Sequence, residues 1–203
     1  MFERFTQDAR GVVTGAVERS GRTGADEVTE EHMLLALLDQ TGTRASFALA
    51  ALGVGDRRES LEGALAQARR RGGLSQADAA ALAEIGIDVG EIVSRMEEAH
   101  GAGAMKAGGA GGPGGASWRP KWWWSGRRPF TPAAKAMLVK SLRISRGRGD
   151  HHIGGEHILL ALTARPGVVA EVLADHGATY AAVERAMFGA AGGSGGGGLA
   201  QAG

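Results

Sequence analysis

The feature that most constrains this chain is an internal repeat. Phe5-Thr6 recurs as Phe130-Thr131, and Glu31-His32-Met33-Leu34-Leu35-Ala36-Leu37 recurs as Glu156-His157-Ile158-Leu159-Leu160-Ala161-Leu162. Both pairs share one offset, 131 − 6 = 125 and 156 − 31 = 125. The same offset carries Ala9 to Ala134, Gly42 to Gly167 and Ala45 to Ala170, so a gapless second copy is expected through that point. Within each copy the apolar residues fall at helical spacing: Phe5, Ala9, Val12, Val13 and Ala16, then Met33, Leu34, Leu37 and Leu38. Strand-like alternation is nearly absent, and the predicted fold is all-α. Each copy reads as a short helical unit with an apolar face too large to leave in water. Two copies should therefore pack as a pseudo-twofold pair with a groove along the seam.

Helix starts are marked at Thr6, near Thr29, near Ser46, at Ser60 and at Ser75 or Asp78, where a side-chain oxygen can accept from the free N–H groups of a first turn. Gly and Ala dominate 101–116 and Gly dominates 189–203, and neither stretch carries side chains enough to offset its ordering entropy by burial. The organisation expected is a first repeat over 1–73, a helical insert over 74–100, and a linker, Gly-rich and then Trp/Arg-rich, over 101–127. A second repeat over 128–188 and a disordered tail over 189–203 complete it. The insert keeps an apolar rhythm through Leu82, Ile85, Ile87, Val89, Ile92, Val93 and Met96, which predicts two short helices split near Gly86.

Several function classes are disfavoured by composition. The net charge of +1 provides no bulk attraction to nucleic acid or anionic lipid. The absence of Cys removes disulfides, thiolate metal sites and a cysteine nucleophile, and suits a reducing compartment. No apolar run approaches the roughly 20 residues of a membrane span, and Met1 to Thr6 lacks the apolar core of a secretory signal. A cytoplasmic location without a membrane span is the expectation. There is no Gly-x-x-x-x-Gly-Lys-Ser/Thr loop to hold nucleotide phosphates and no Gly-x-Ser-x-Gly elbow, so neither an enzyme nor a cofactor is expected.

The segments Phe2-Glu3-Arg4-Phe5-Thr6, Pro129-Phe130-Thr131-Pro132-Ala133-Ala134-Lys135 and Ile153-Gly154-Gly155-Glu156-His157-Ile158-Leu159-Leu160 resemble the two repeats of the Clp unfoldase N-terminal domain, in particular the ClpC type. The resemblance covers about 1–70 and 128–188. It implies two four-helix repeats forming a non-catalytic module that binds marked substrate proteins or peptides, as adaptor or decoy for a Clp ATPase, with that ATPase or its adaptors as partners. This chain looks like a stand-alone member without the ATPase modules.

The resemblance also implies site residues. Glu31 and Glu156 each begin a helix, where the helix dipole favours a carboxylate. In ClpC-type domains the acid at this position meets the guanidinium of a phosphorylated arginine, and the Phe-Thr element lies near the phosphate. Carried over, this pairs Glu31 with Thr6 and Glu156 with Thr131. Because Glu30 adds a charge that would repel phosphate, the second copy is the better candidate. A second surface, on which the family docks macrocyclic peptide antibiotics, maps to Phe2, Phe130 and Lys135, with Val139 where many members carry Glu. As an alternative, Phe2 and Phe130 could staple the first helix of each copy. The His151, His152, Glu156, His157 cluster misses the spacing that aligns metal ligands on a helix face, so no metal is expected. His32 and His157 read instead as helix-start residues satisfied by local backbone.

One segment stands outside the repeats: Trp118, Trp122, Trp123 and Trp124 interleaved with basic residues that include Arg127 and Arg128. Indoles stack on bases or sit at lipid interfaces while Arg meets phosphate, which makes nucleic-acid or membrane-surface binding the alternative function. The balanced net charge makes nucleic acid the less favoured partner and self-packing onto the groove or insert the favoured reading.

Overall fold

The computed structural model describes residues 4–100 and 128–189. Among the described residues it is all-α, with ten helices: α1 Gln7–Arg22, α2 Glu30–Leu38, α3 Arg44–Ala51, α4 Arg58–Arg70, α5 Gln76–Glu84, α6 Val89–His100, α7 Pro132–Gly147, α8 Gly155–Thr163, α9 Val168–Asp175 and α10 Tyr180–Phe188. Phe2 and the Trp118, Trp122, Trp123, Trp124 and Arg127 segment lie outside the described residues.

The repeat offset is borne out for the first two helices of each copy, since α1 maps onto α7 and α2 onto α8 with 132 − 7 = 125 and 155 − 30 = 125. It then slips. Five residues, 39–43, join α2 to α3, but four, 164–167, join α8 to α9, so the third helices correspond with 168 − 44 = 124. Burial confirms the new register: Ala45, Ala48 and Leu49 of α3 match Val169, Val172 and Leu173 of α9. The gapless extension to Gly167 and Ala170 is thus corrected. A loop can lose a residue without disturbing the helices on either side, and the identities at 167 and 170 do not reflect structural equivalence.

The two copies are interleaved rather than merely set side by side. A short parallel bridge joins Phe5 to Ile153, with Thr6 N–H donating to Ile153 O at 3.0 Å and Ile153 N–H to Arg4 O at 2.7 Å. Its symmetry mate joins Phe130 to Val28, with Thr131 N–H donating to Val28 O at 3.0 Å and Val28 N–H to Pro129 O at 2.8 Å. The later helices cross over as well: α10 packs on α3, and α4 packs on α9. Phe188 of α10 meets the guanidinium groups of Arg44 and Arg148, 5.9 Å and 3.4 Å from its ring centre. His176, capping α9, meets Ser60 Oγ of α4 through Nε2 at 3.0 Å. Met33, Leu34, Leu37, Ile158, Leu159, Leu160 and Leu162 of the central pair α2 and α8 are fully or almost fully buried in one core drawn from both copies.

The insert forms the two helices expected, separated by a turn at Gly86, whose φ of 82° suits a residue without Cβ. Ser75 caps α5, and Gln76 N–H donates to the Glu171 carboxylate of α9 at 2.9 Å, which ties the insert to the repeat body. Among the described residues no single helix is long and apolar enough to cross a membrane. The pair α8 and α9 would pass such a test only as a span bent by 96°, and their apolar residues fill the core.

Candidate functional site

The crosswise bridges decide where the sequence-predicted residues meet. Thr6 is hydrogen-bonded to Ile153, just ahead of α8, while Thr131 is hydrogen-bonded to Val28, just ahead of α2. The Phe-Thr element of each copy is therefore joined to the helix start of the other. Thr6 approaches the helix that carries Glu156, and Thr131 approaches the helix that carries Glu31. This exchanges the within-copy pairing that the resemblance implied. We term the two places the α2 seat and the α8 seat.

Both helix starts are built by the same local chemistry. In α2, Thr29 Oγ1 accepts from His32 N–H at 3.3 Å and Thr29 N–H donates to His32 Nδ1 at 3.1 Å. In α8, Gly154 N–H donates to His157 Nδ1 at 3.0 Å, and His157 Nε2 meets Asp150 Oδ2 at 2.9 Å. The histidines are thus capping groups, buried beneath the seats. Burial, followed by the charges of Arg69, Arg19 and Arg128, holds His32 below the ordinary histidine pKa.

The α2 seat combines both signs of charge. Glu31, whose side chain is 14% exposed, pairs with Arg69 at 3.4 Å. Glu30 pairs with Arg165 at 3.7 Å, and Arg165 also donates to Ala133 O at 3.4 Å. Burial raises the pKa of both acids against the opposing pull of Arg69 on Glu31 and of Arg165 on Glu30. Thr131 Oγ1 accepts from Ala134 N–H at 3.1 Å as the cap of α7. The repulsive charge that the sequence assigned to Glu30 is therefore matched by a guanidinium arriving from the other copy.

The α8 seat is different. Glu156, 15% exposed, folds back over its own helix start, where a Cβ on Gly154 would collide with its carboxylate. In the first copy that position is Thr29, and Glu31 extends to Arg69 instead. Asp8, which the sequence reading did not single out, accepts from Gly155 N–H at 2.9 Å and from the Thr6 hydroxyl. Burial pushes the Asp8 carboxyl up, but hydrogen bonds from Thr6, Gly155 and Ala9 outweigh it and hold the group below the usual carboxylate range. An open groove of about 560 Å³ lies beside it, lined by Gln7, Asp8, Gln40, Thr41, Gly42 and Thr43.

Of the second expected surface, Phe130 is half-buried against the core, while Lys135 and Val139 are exposed one turn apart on α7. Arg128 donates to Ala25 O and so fastens the entry to the second copy. Phe47 on α3, 68% exposed, is a large apolar side chain that periodicity alone did not flag.

Comparison with known proteins agrees with this architecture. The model of the Clp repeat (R) N-terminal domain matches residues 4–77 and 129–192. Chaperone protein ClpC1, chloroplastic, of Arabidopsis thaliana is 28% identical over 179 residues, covering 88% of this chain and 14% of the relative. The chloroplastic ClpA homolog CD4B of Solanum lycopersicum, an ATP-dependent Clp protease ATP-binding subunit, is 29% identical over 179 residues with the same coverage. The chain thus spans about a seventh of the length of these relatives. Among solved structures, the N-terminal domain of the caseinolytic protease associated chaperone ClpD from Arabidopsis thaliana has a TM-score of 0.50 at 18% identity, covering 94% of this chain and 96% of that one, a likeness of fold. With both copies of the repeat matched, over more than half of its length, the chain belongs to the Clp repeat (R) N-terminal domain family.

Proposed function

We propose that this chain is a peptide- and protein-binding module that takes arginine-phosphorylated segments at the α2 seat. The observation that carries the reading is the crosswise delivery of Thr131 to a helix start whose two acids each meet a guanidinium, Glu31 that of Arg69 and Glu30 that of Arg165. Phosphoarginine joins a cationic guanidinium to an anionic phosphoryl group. Glu31 would pair with the former, and Arg69, Arg165 and the Thr131 hydroxyl would serve the latter. Each of these groups is already charged or hydrogen-bonded, so a ligand exchanges existing ion pairs for new ones rather than leaving a buried charge unmatched. Phe130, immediately before Thr131, and the exposed Lys135 offer a mixed apolar and cationic footing for residues flanking the mark or for a peptide macrocycle.

Such a module delivers marked proteins to a Clp ATPase or withholds them from it, and the direction depends on what else it contacts. Calorimetric titration with a phosphoarginine peptide and its unphosphorylated twin tests the reading. Phosphate-dependent binding that is lost in Glu31→Gln supports it. Equal binding of the two peptides, or none by a folded wild type, refutes it.

A further inference from the structure

We infer that Asp8 bars phosphate from the α8 seat, so that the two related seats of this chain differ in specificity and only one accepts a phosphorylated arginine. The inference rests on the reading of the α2 seat above and names the residue that sets the ligand class of its twin. Asp8 and Ala133 occupy the same place in the two copies, as second residue of the first helix, with 133 − 8 = 125. Across from Asp8 the first residue of α8 is Gly155, and across from Ala133 the first residue of α2 is Glu30. The exchange is complementary. Where the approaching helix brings a carboxylate, the receiving position is bare; where it brings a methyl group, the receiving position carries a side chain.

Space explains the match, because a Cβ on Gly155 would lie 3.1 Å from Asp8 Oδ2 and 3.7 Å from the Ala45 Cβ. Asp8 thus accepts from the Gly155 N–H, a donor at the positive end of α8, and from the Thr6 hydroxyl as well. These are the donors that an incoming phosphoryl group would require in this seat. A fixed carboxylate in their grip both occupies them and repels a second anion. Glu156, folded back over Gly154 at the same helix start, adds a further negative charge, and Arg165 and Arg69 hold Glu30 and Glu31 in the other seat. The adjoining groove, with Asp8 in its wall, presents the same negative charge to any peptide lying in it.

Transplanting the carboxylate provides the test. Ala133→Asp places the barrier in the α2 seat and should weaken binding of a phosphoarginine peptide at least about tenfold, whereas unchanged affinity would overturn the inference. Conversely, Glu31→Gln should abolish binding and Glu31→Gln with Asp8→Ala should restore it through the α8 seat. If wild type binds two equivalents and loses one in Glu156→Gln, the inference fails while the proposed function stands. If wild type binds no phosphoarginine, the proposed function fails, and inorganic phosphate still decides on Asp8. In that arm the Gly155 amide resonance should move with added phosphate in Asp8→Ala and stay still in wild type; equal response in both would overturn the role given to Asp8.

Discussion

Glu31 is a half-buried acid at a helix start, and its proposed role in binding can be separated from any role in the fold. Burial raises its pKa, with Arg69 opposing, so the folded protein binds the Glu31 proton more tightly than the unfolded chain does. The contribution of this group to stability is therefore fully present below its ordinary value of 4.5 and lost as the pH rises through its higher folded value. At neutral pH the ionised carboxylate is a burden on the fold. Glu31→Gln should leave Tm at pH 7 unchanged or raise it, even though Arg69 loses a partner, because that guanidinium is 48% exposed and keeps its hydration. A thermal melt checks this, and a drop of several degrees would show that Glu31 serves the fold instead. Glu31, Glu156 and both histidines were legible because the repeat marks them twice. Asp8 was not, because its importance depends on a helix start that arrives from 147 residues further along the chain.

Among the elements, the central helices α2 and α8 were the easiest to read, since their apolar runs fill a shared core. Leu160, with no exposed surface, packs in that core. Leu160→Ala should destabilise by about 2–5 kcal/mol, as lost transfer energy plus residual cavity, measurable by denaturant unfolding. A change below about 1 kcal/mol would mean that the site collapses around the smaller side chain. The third and fourth helices were harder, because their boundaries depend on loop lengths that differ between copies. The six residues 52–57 before α4 shrink to the four residues 176–179 before α10, and identities alone do not disclose where such a deletion falls. The insert was legible as two helices through its apolar rhythm and Gly86, but its tether did not appear in the pattern, since Gln76 bonds through its backbone N–H.

For the whole molecule, the consequence of interleaving is that a repeat of sequence is not a unit of folding. The first copy lacks the Pro129 and Thr131 partners of Val28 and the α9 surface under α4, and the second lacks the mirror set. A fragment of residues 1–100 should therefore have little stable helix alone, and adding residues 128–189 should restore it, as seen by circular dichroism. Cooperative unfolding of the first fragment by itself would contradict the shared core.

The same interleaving builds the proposed α2 seat, with Glu30 and Glu31 from the first copy and Thr131 from the second. The most direct test follows backbone amide shifts while a phosphoarginine peptide is added to the intact chain. Glu30 and Glu31 of the first copy should move together with Thr131 of the second, and the unphosphorylated twin should move none of them. Shifts that pair Glu31 with Thr6, or that appear equally with both peptides, would contradict it.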